Sequence, residues 1–118
     1  NVEITMPKEY SRVKRVASEI QKIVSQLIFN EINDPDLGMI TVNDVEVSRD
    51  FSYAKVYVTS LNPKNEHENC ISILNQAAPY LRHCLGKQIK IRLTPELRFV
   101  YDKSAVEGAK IESLINSL

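Results

Sequence analysis

The chain has 118 residues, 43% hydrophobic and 25% charged, and its 15 basic and 15 acidic residues cancel to zero net charge. That is the length and composition of one ordinary globular domain. Taken alone, the charge argues against a nucleic-acid binder; no apolar run approaches the ~20 residues that cross a bilayer; three Gly and five Pro leave little room for linkers.

The N-terminus lacks the apolar stretch of a secretory signal. The five residues before Met6 read as a tag scar or a misread start, which leaves 6–118 as a single domain. The first helix is marked by Val13, Val16, Ala17, Ile20, Ile23, Val24, Leu27 and Ile28 at three- and four-residue steps. Arg12, Arg15, Glu19, Lys22 and Gln26 fall on its opposite face. Asn33-Asp34-Pro35 stops it, because proline disfavours a helical conformation in the residue before it. Two strands follow. Ile40 and Val42 alternate in one phase, Val45 and Val47 in the other, and the slip at Asn43-Asp44 predicts a bulge. After a turn at Ser48-Arg49-Asp50, Ala54, Val56 and Val58 alternate with Tyr53, Lys55, Tyr57 and Thr59, so the pair reads as an antiparallel hairpin.

Cys70, Ile73, Leu74, Ala77, Leu81, Cys84 and Leu85 form a second helical stripe, interrupted by Pro79. Proline is tolerated best in a helix's first turn, so two helices, roughly 66–77 and 79–85, are expected to meet at a kink, with Gly86 as C-cap. The only two cysteines sit on this apolar stripe, so a reducing, cytoplasmic setting fits better than a disulfide framework. A third strand is expected over Ile89, Ile91 and Leu93, resuming after Pro95 at Leu97, Phe99 and Tyr101. Val106, Ile111, Leu114, Ile115 and Leu118 predict a C-terminal helix. The order α-β-β-α-kink-α-β is that of an α+β, type II KH-like fold, a three-stranded sheet with helices on one face. Fold order alone leaves function open.

The glycines are isolated, so there is neither a phosphate-binding loop nor the GXXG clamp of standard KH domains. Its place reads Gln76-Ala77-Ala78-Pro79. Two His and two Cys make neither a zinc set nor a recognisable nucleophile–base pair, so no metal, cofactor or active site is expected.

Charge is segregated along the chain. Residues 8–22 carry a balance of +3, residues 31–50 one of −5, and residues 82–98 one of +4. A neutral protein sorted this way can present one positive surface. Two surfaces qualify. One is the open sheet face, with Tyr53, Lys55 and Tyr57 beside Lys90, Arg92 and Arg98. The other joins the basic face of the first helix to Arg82 and Lys87. The sequence does not choose between them. The candidate RNA-binding residues are Arg12, Arg15, Lys22, Arg49, Lys55, Arg82, Lys87, Lys90 and Arg92. Asp34, Asp36, Asp44 and Glu46 would repel phosphate and are expected on the side facing away from RNA, or towards a basic protein.

Several segments combine into a family likeness. They are Lys8-Glu9-Tyr10, Arg15-Val16-Ala17, Asp34-Pro35-Asp36-Leu37-Gly38-Met39, Val47-Ser48-Arg49-Asp50, Tyr53–Thr59, Leu85-Gly86-Lys87, Pro95-Glu96-Leu97, Tyr101-Asp102 and Val106-Glu107-Gly108. In order and spacing the chain resembles the ribosome-binding factor A family from Met6 almost to its end. The resemblance implies a KH-like fold whose Ala-centred helix–kink–helix replaces GXXG, with Ala77 at the family alanine and Pro79 where Gly is frequent. It also implies a monomeric, non-enzymatic factor that binds the free small ribosomal subunit. Such a factor assists late maturation and processing of its rRNA, matters most in the cold, and is linked functionally to an Era-type GTPase. A generic KH-type single-stranded RNA binder is the alternative.

Overall fold

The structure, a computed structural model, describes residues 8–32, 34, 37–61 and 67–103. Residues 1–5 and the expected C-terminal helix lie outside these. The elements are α1 (Lys8–Glu31), β1 (Ile40–Val47), β2 (Tyr53–Ser60), α2 (His67–Gln88) and β3 (Glu96–Tyr101). The sheet order is β1-β2-β3, antiparallel between the first two strands and parallel between β2 and β3. One face of the sheet is covered, by α1 over β1 and α2 over β3.

The core follows from the two periodicities. Val16, Ile20, Val24, Leu27 and Ile28 of α1 are buried, as are Cys70, Leu74, Ala78, Leu81 and Leu85 of α2. They close on the inward strand residues Val42, Val45, Ala54, Val56, Val58, Leu97 and Phe99. Each buried aliphatic or aromatic side chain contributes about 1.5–3 kcal/mol by leaving water. The bulge falls where the slip in alternation placed it, between Val42 and Asp44. It turns backbone carbonyls towards the free edge of β1, where Gln21 Nε2 donates to Val42 O at 3.1 Å and Asn43 O at 3.3 Å. At the hairpin turn Phe51 takes a left-handed φ of 60°. The turn is held by Asp50 Oδ1, which accepts from Ser48 Oγ, Ser52 N and Ser52 Oγ.

Three expectations are corrected. First, the two helices expected either side of Pro79 are one helical element, and Gly86 lies inside it rather than capping it. Pro79 cannot donate to the Asn75 carbonyl, a loss of about 3 kcal/mol or more in an ordinary helix. Buried Leu74, Ala78, Leu81 and Leu85 carry the helical stripe through that break. Gly86 is needed for close approach, since a Cβ there would stand 3.0 Å from Thr94 Oγ1. Second, β3 begins at Glu96, not Ile89. Ile89 N still donates to Leu85 O, prolonging the helix, and Pro95 has no N–H for a ladder. The apolar alternation of 89–93 is therefore a loop that buries Ile89 and half-buries Ile91. Third, Lys90 and Arg92 consequently stand on this loop and not on the open sheet face.

The free edge of β3 is also closed by a helix side chain. Asn75 Nδ2 donates to Phe99 O at 3.0 Å, and Phe99 N donates to Asn75 Oδ1 at 2.9 Å. One amide thus satisfies both outward backbone groups of a buried edge residue.

Candidate nucleic-acid interface

The positions 79, 82, 83, 86 and 87 share one face of α2 by helical spacing. The loop after the helix folds back beside that face. Together Pro79, Arg82, His83, Gly86, Lys87, Arg92, Leu93 and Thr94 line an open groove of ≈ 520 Å³. Arg82 builds it: its Nε and Nη2 both donate to Thr94 O, at 3.0 and 2.8 Å. The guanidinium therefore anchors the loop while its charge stays at the groove. Lys87 and Arg92 are exposed, and Leu93 is 48% exposed at the rim. Three cations and an imidazole beside an exposed aliphatic side chain, with no carboxylate in the lining, make a surface suited to a phosphate backbone.

Of the nine predicted basic residues, this groove unites Arg82, Lys87 and Arg92, with exposed Lys90 on the same loop. The other five are distributed elsewhere. Arg15 and Lys22 are exposed on α1. The Arg12 guanidinium lies 5.3 Å from the Phe51 ring centroid, and Arg49 is exposed in the same turn as Phe51. Lys55 stands on the open sheet face, 5.7 Å from the Tyr57 ring centroid.

The open sheet face is of mixed sign. Tyr57 Oη donates to Glu46 Oε1 at 2.7 Å, and Lys55 is the cross-strand partner of Glu46. The Glu46 hydrogen bond, followed by burial and the charges of Glu46, Asp44 and Asp102, raises the Tyr57 pKa. Arg98 stacks 5.3 Å from the Tyr53 ring centroid, so that ring face is occupied. Carboxylates and filled ring faces leave little for phosphates or bases to engage.

His83 is absent from the sequence-based set, although its spacing to Pro79 and Lys87 already places it on this face. Leu93, expected on a strand, stands on the loop. Tyr80 Oη donates to Glu31 Oε1 at 2.7 Å, tying the two helices together; that bond, with smaller effects of Cys84, pushes the phenol pKa up to about 12. Among the described residues no group of three or more His, Cys, Asp or Glu gathers to hold a metal, and no helix is long and apolar enough to cross a membrane.

A family model for ribosome-binding factor A matches residues 12–115. The chain belongs to the ribosome-binding factor A family. Its fold is matched by the crystal structure of ribosome-binding factor A from Thermus thermophilus. The two are 26% identical over 75% of this chain and 94% of that one, with a TM-score of 0.69. A solution structure of a Thermotoga maritima protein, a candidate ribosome binding factor A, is 31% identical over 85% of this chain and 94% of that one, with a TM-score of 0.64. A Thermus thermophilus ribosome binding factor A homology model, fitted into a cryo-EM map of a 30S complex, is 26% identical over 74% of this chain and 91% of that one, with a TM-score of 0.64.

Proposed function

We propose that this chain is an assembly factor that binds the free small ribosomal subunit and assists late maturation and processing of its rRNA, including during growth in the cold. The observation that carries the reading is the family match across residues 12–115, and the α2–loop groove is its chemical counterpart. The chain acts as one KH-like domain over 6–118, as a cytoplasmic monomer, in functional connection with an Era-type GTPase. Catalysis is not required. A factor of this kind needs only a higher affinity for one conformation of the particle than for another.

Arg82, Lys87, Lys90 and Arg92 make the principal phosphate contacts in this reading. Arg12, Arg15, Lys22, Arg49 and Lys55 extend the field. Gln76-Ala77-Ala78-Pro79, inside the single helix α2, acts as the kink that stands where a GXXG loop would be. Pro79 supports this, since it lines the groove and deletes a helical hydrogen bond there.

Sedimentation of the purified protein with small subunits at rising salt tests the proposal. Association with free small subunits but not with complete ribosomes is the expected result. Absence of association at low salt overturns it. Equal affinity for short unstructured RNA oligonucleotides would instead favour a generic single-stranded binder.

A further inference from the structure

A groove of ≈ 630 Å³ runs between α1 and the free edge of β1, with Val13, Ala17 and Ser18 on one side and residues 44–48 on the other. Ser48 N donates to Tyr53 O at 2.9 Å. In an antiparallel pair, bonded and non-bonded residue pairs alternate. With the observed register, Asp44 and Glu46 therefore bond to β2, and Val45 and Val47 turn their backbone groups outward. The Val45 N–H is taken by Asp44 Oδ1 at 2.9 Å, and Gln21 occupies the carbonyls at the bulge. The Val45 carbonyl and both backbone groups of Val47 have no protein partner among the described residues. An outward row of backbone donors and acceptors beside a groove is complementary to another extended backbone.

We propose that this groove binds an extended segment of a partner protein, added to β1 as a short fourth strand over Val45–Val47. The walls specify the segment. A residue opposite Glu46 stands on the open sheet face, next to a carboxylate with Asp44 and Asp50 close in sequence, and is favoured as Lys or Arg. Its neighbours turn towards α1, meet Val13 and Ala17, and must be apolar and small. The segment reads apolar–basic–apolar. The rim carries both signs, Asp44 and Glu46 with Lys14 and Lys55, so it lacks the positive field that would draw an RNA strand to the same place. The site is built from different elements than the α2–loop groove, so it stands or falls separately from the RNA reading.

The probe is a fluorescein-labelled Val-Lys-Val-Lys-Val peptide, titrated with the full chain and read by anisotropy. Two isomers N-methylated at alternate amides, one in each phase, distinguish backbone pairing from charge attraction. One isomer should bind at least tenfold more weakly and the other near the parent value. A Val-Glu-Val-Glu-Val peptide should bind at least threefold more weakly. Amide shifts should concentrate at residues 44–48 and 13–21. Val47→Pro removes the outward N–H at a position where an edge strand accepts proline. Ser18→Arg fills the groove from an exposed helix site. Each should lower affinity at least tenfold while the circular dichroism spectrum is kept. Four outcomes overturn the proposal: no saturable binding at millimolar peptide, equal binding of both methylated isomers and the parent, shifts centred on another surface, or parent-like affinity of a folded Ser18→Arg protein.

Discussion

Arg82 and Lys87 are both cations on one helix face, yet they do different things. Arg82 gives two hydrogen bonds to the Thr94 carbonyl, so Arg82→Ala leaves a half-buried loop carbonyl without its donor. A hydrogen bond to a charged group is worth about 1.5–3 kcal/mol, and urea unfolding of Arg82→Ala should show a loss of that order. Lys87 is exposed, so Lys87→Ala should unfold within about 0.5 kcal/mol of wild type. Binding defects of Arg82 variants therefore mix loop disorder with lost charge, and Lys87 with Arg92 is the cleaner pair for testing phosphate contact. Tyr80 offers a second measurement at this scale. Its folded pKa of about 12 lies above the ordinary value of 10.0 because ionisation breaks the bond to Glu31 and adds a like charge. A raised folded pKa means its stabilising effect is complete below pH 10 and fades as pH rises through about 12. The Tyr57 pKa is also raised, so phenolate absorbance should show a late component near pH 12 that Tyr80→Phe removes and Glu31→Gln moves down. A Tyr80 that titrates at 10 in both proteins would show that the bond is not made in solution.

At the scale of elements, α1 and the hairpin were legible because their apolar periods are regular, with one slip in β1, and end at turn residues. Even the bulge was legible, since a phase slip in a two-residue repeat has few other causes. The C-terminal half was legible in its α2 stripe and in the strand at Leu97, Phe99 and Tyr101, but not between them. Ile89, Ile91 and Leu93 alternate like a strand, but whether they enter the ladder depends on where Arg82 pins Thr94 and on the missing Pro95 donor, both settled by tertiary contacts. Pro79 misled for a related reason: its local cost argues for a helix end, and burial on either side outweighs it. Asn75 shows how an element can depend on one side chain outside any pattern. Asn75→Ala frees both outward backbone groups of Phe99, a residue that is 1% exposed. Two net hydrogen bonds at ~0.5–1.5 kcal/mol each give an expected loss of about 1–3 kcal/mol in denaturant. The unblocked edge should also show concentration-dependent association by light scattering. An unchanged midpoint would mean that water replaces the amide at no cost.

At the scale of the whole molecule, zero net charge concealed the candidate site. Positive residues gather at the α2–loop groove, while carboxylates share the open sheet face with Lys55 and Tyr57. In the proposed RNA-binding reading the attraction is local, and its salt dependence should count the groove's cations rather than follow overall charge. Each phosphate neutralised adds about 0.7–0.9 to the slope of log affinity against log salt. Replacing Lys87 and Arg92 together with Gln should reduce that slope by about 1.4–1.8 for small-subunit binding. The same double substitution on Arg15 and Lys22 should change it by less, because those residues lie on another element and extend the field without lining the groove. Equal reductions would place the RNA across both helices. A reduction confined to the α1 pair would move the interface to α1 and leave the groove to some other ligand.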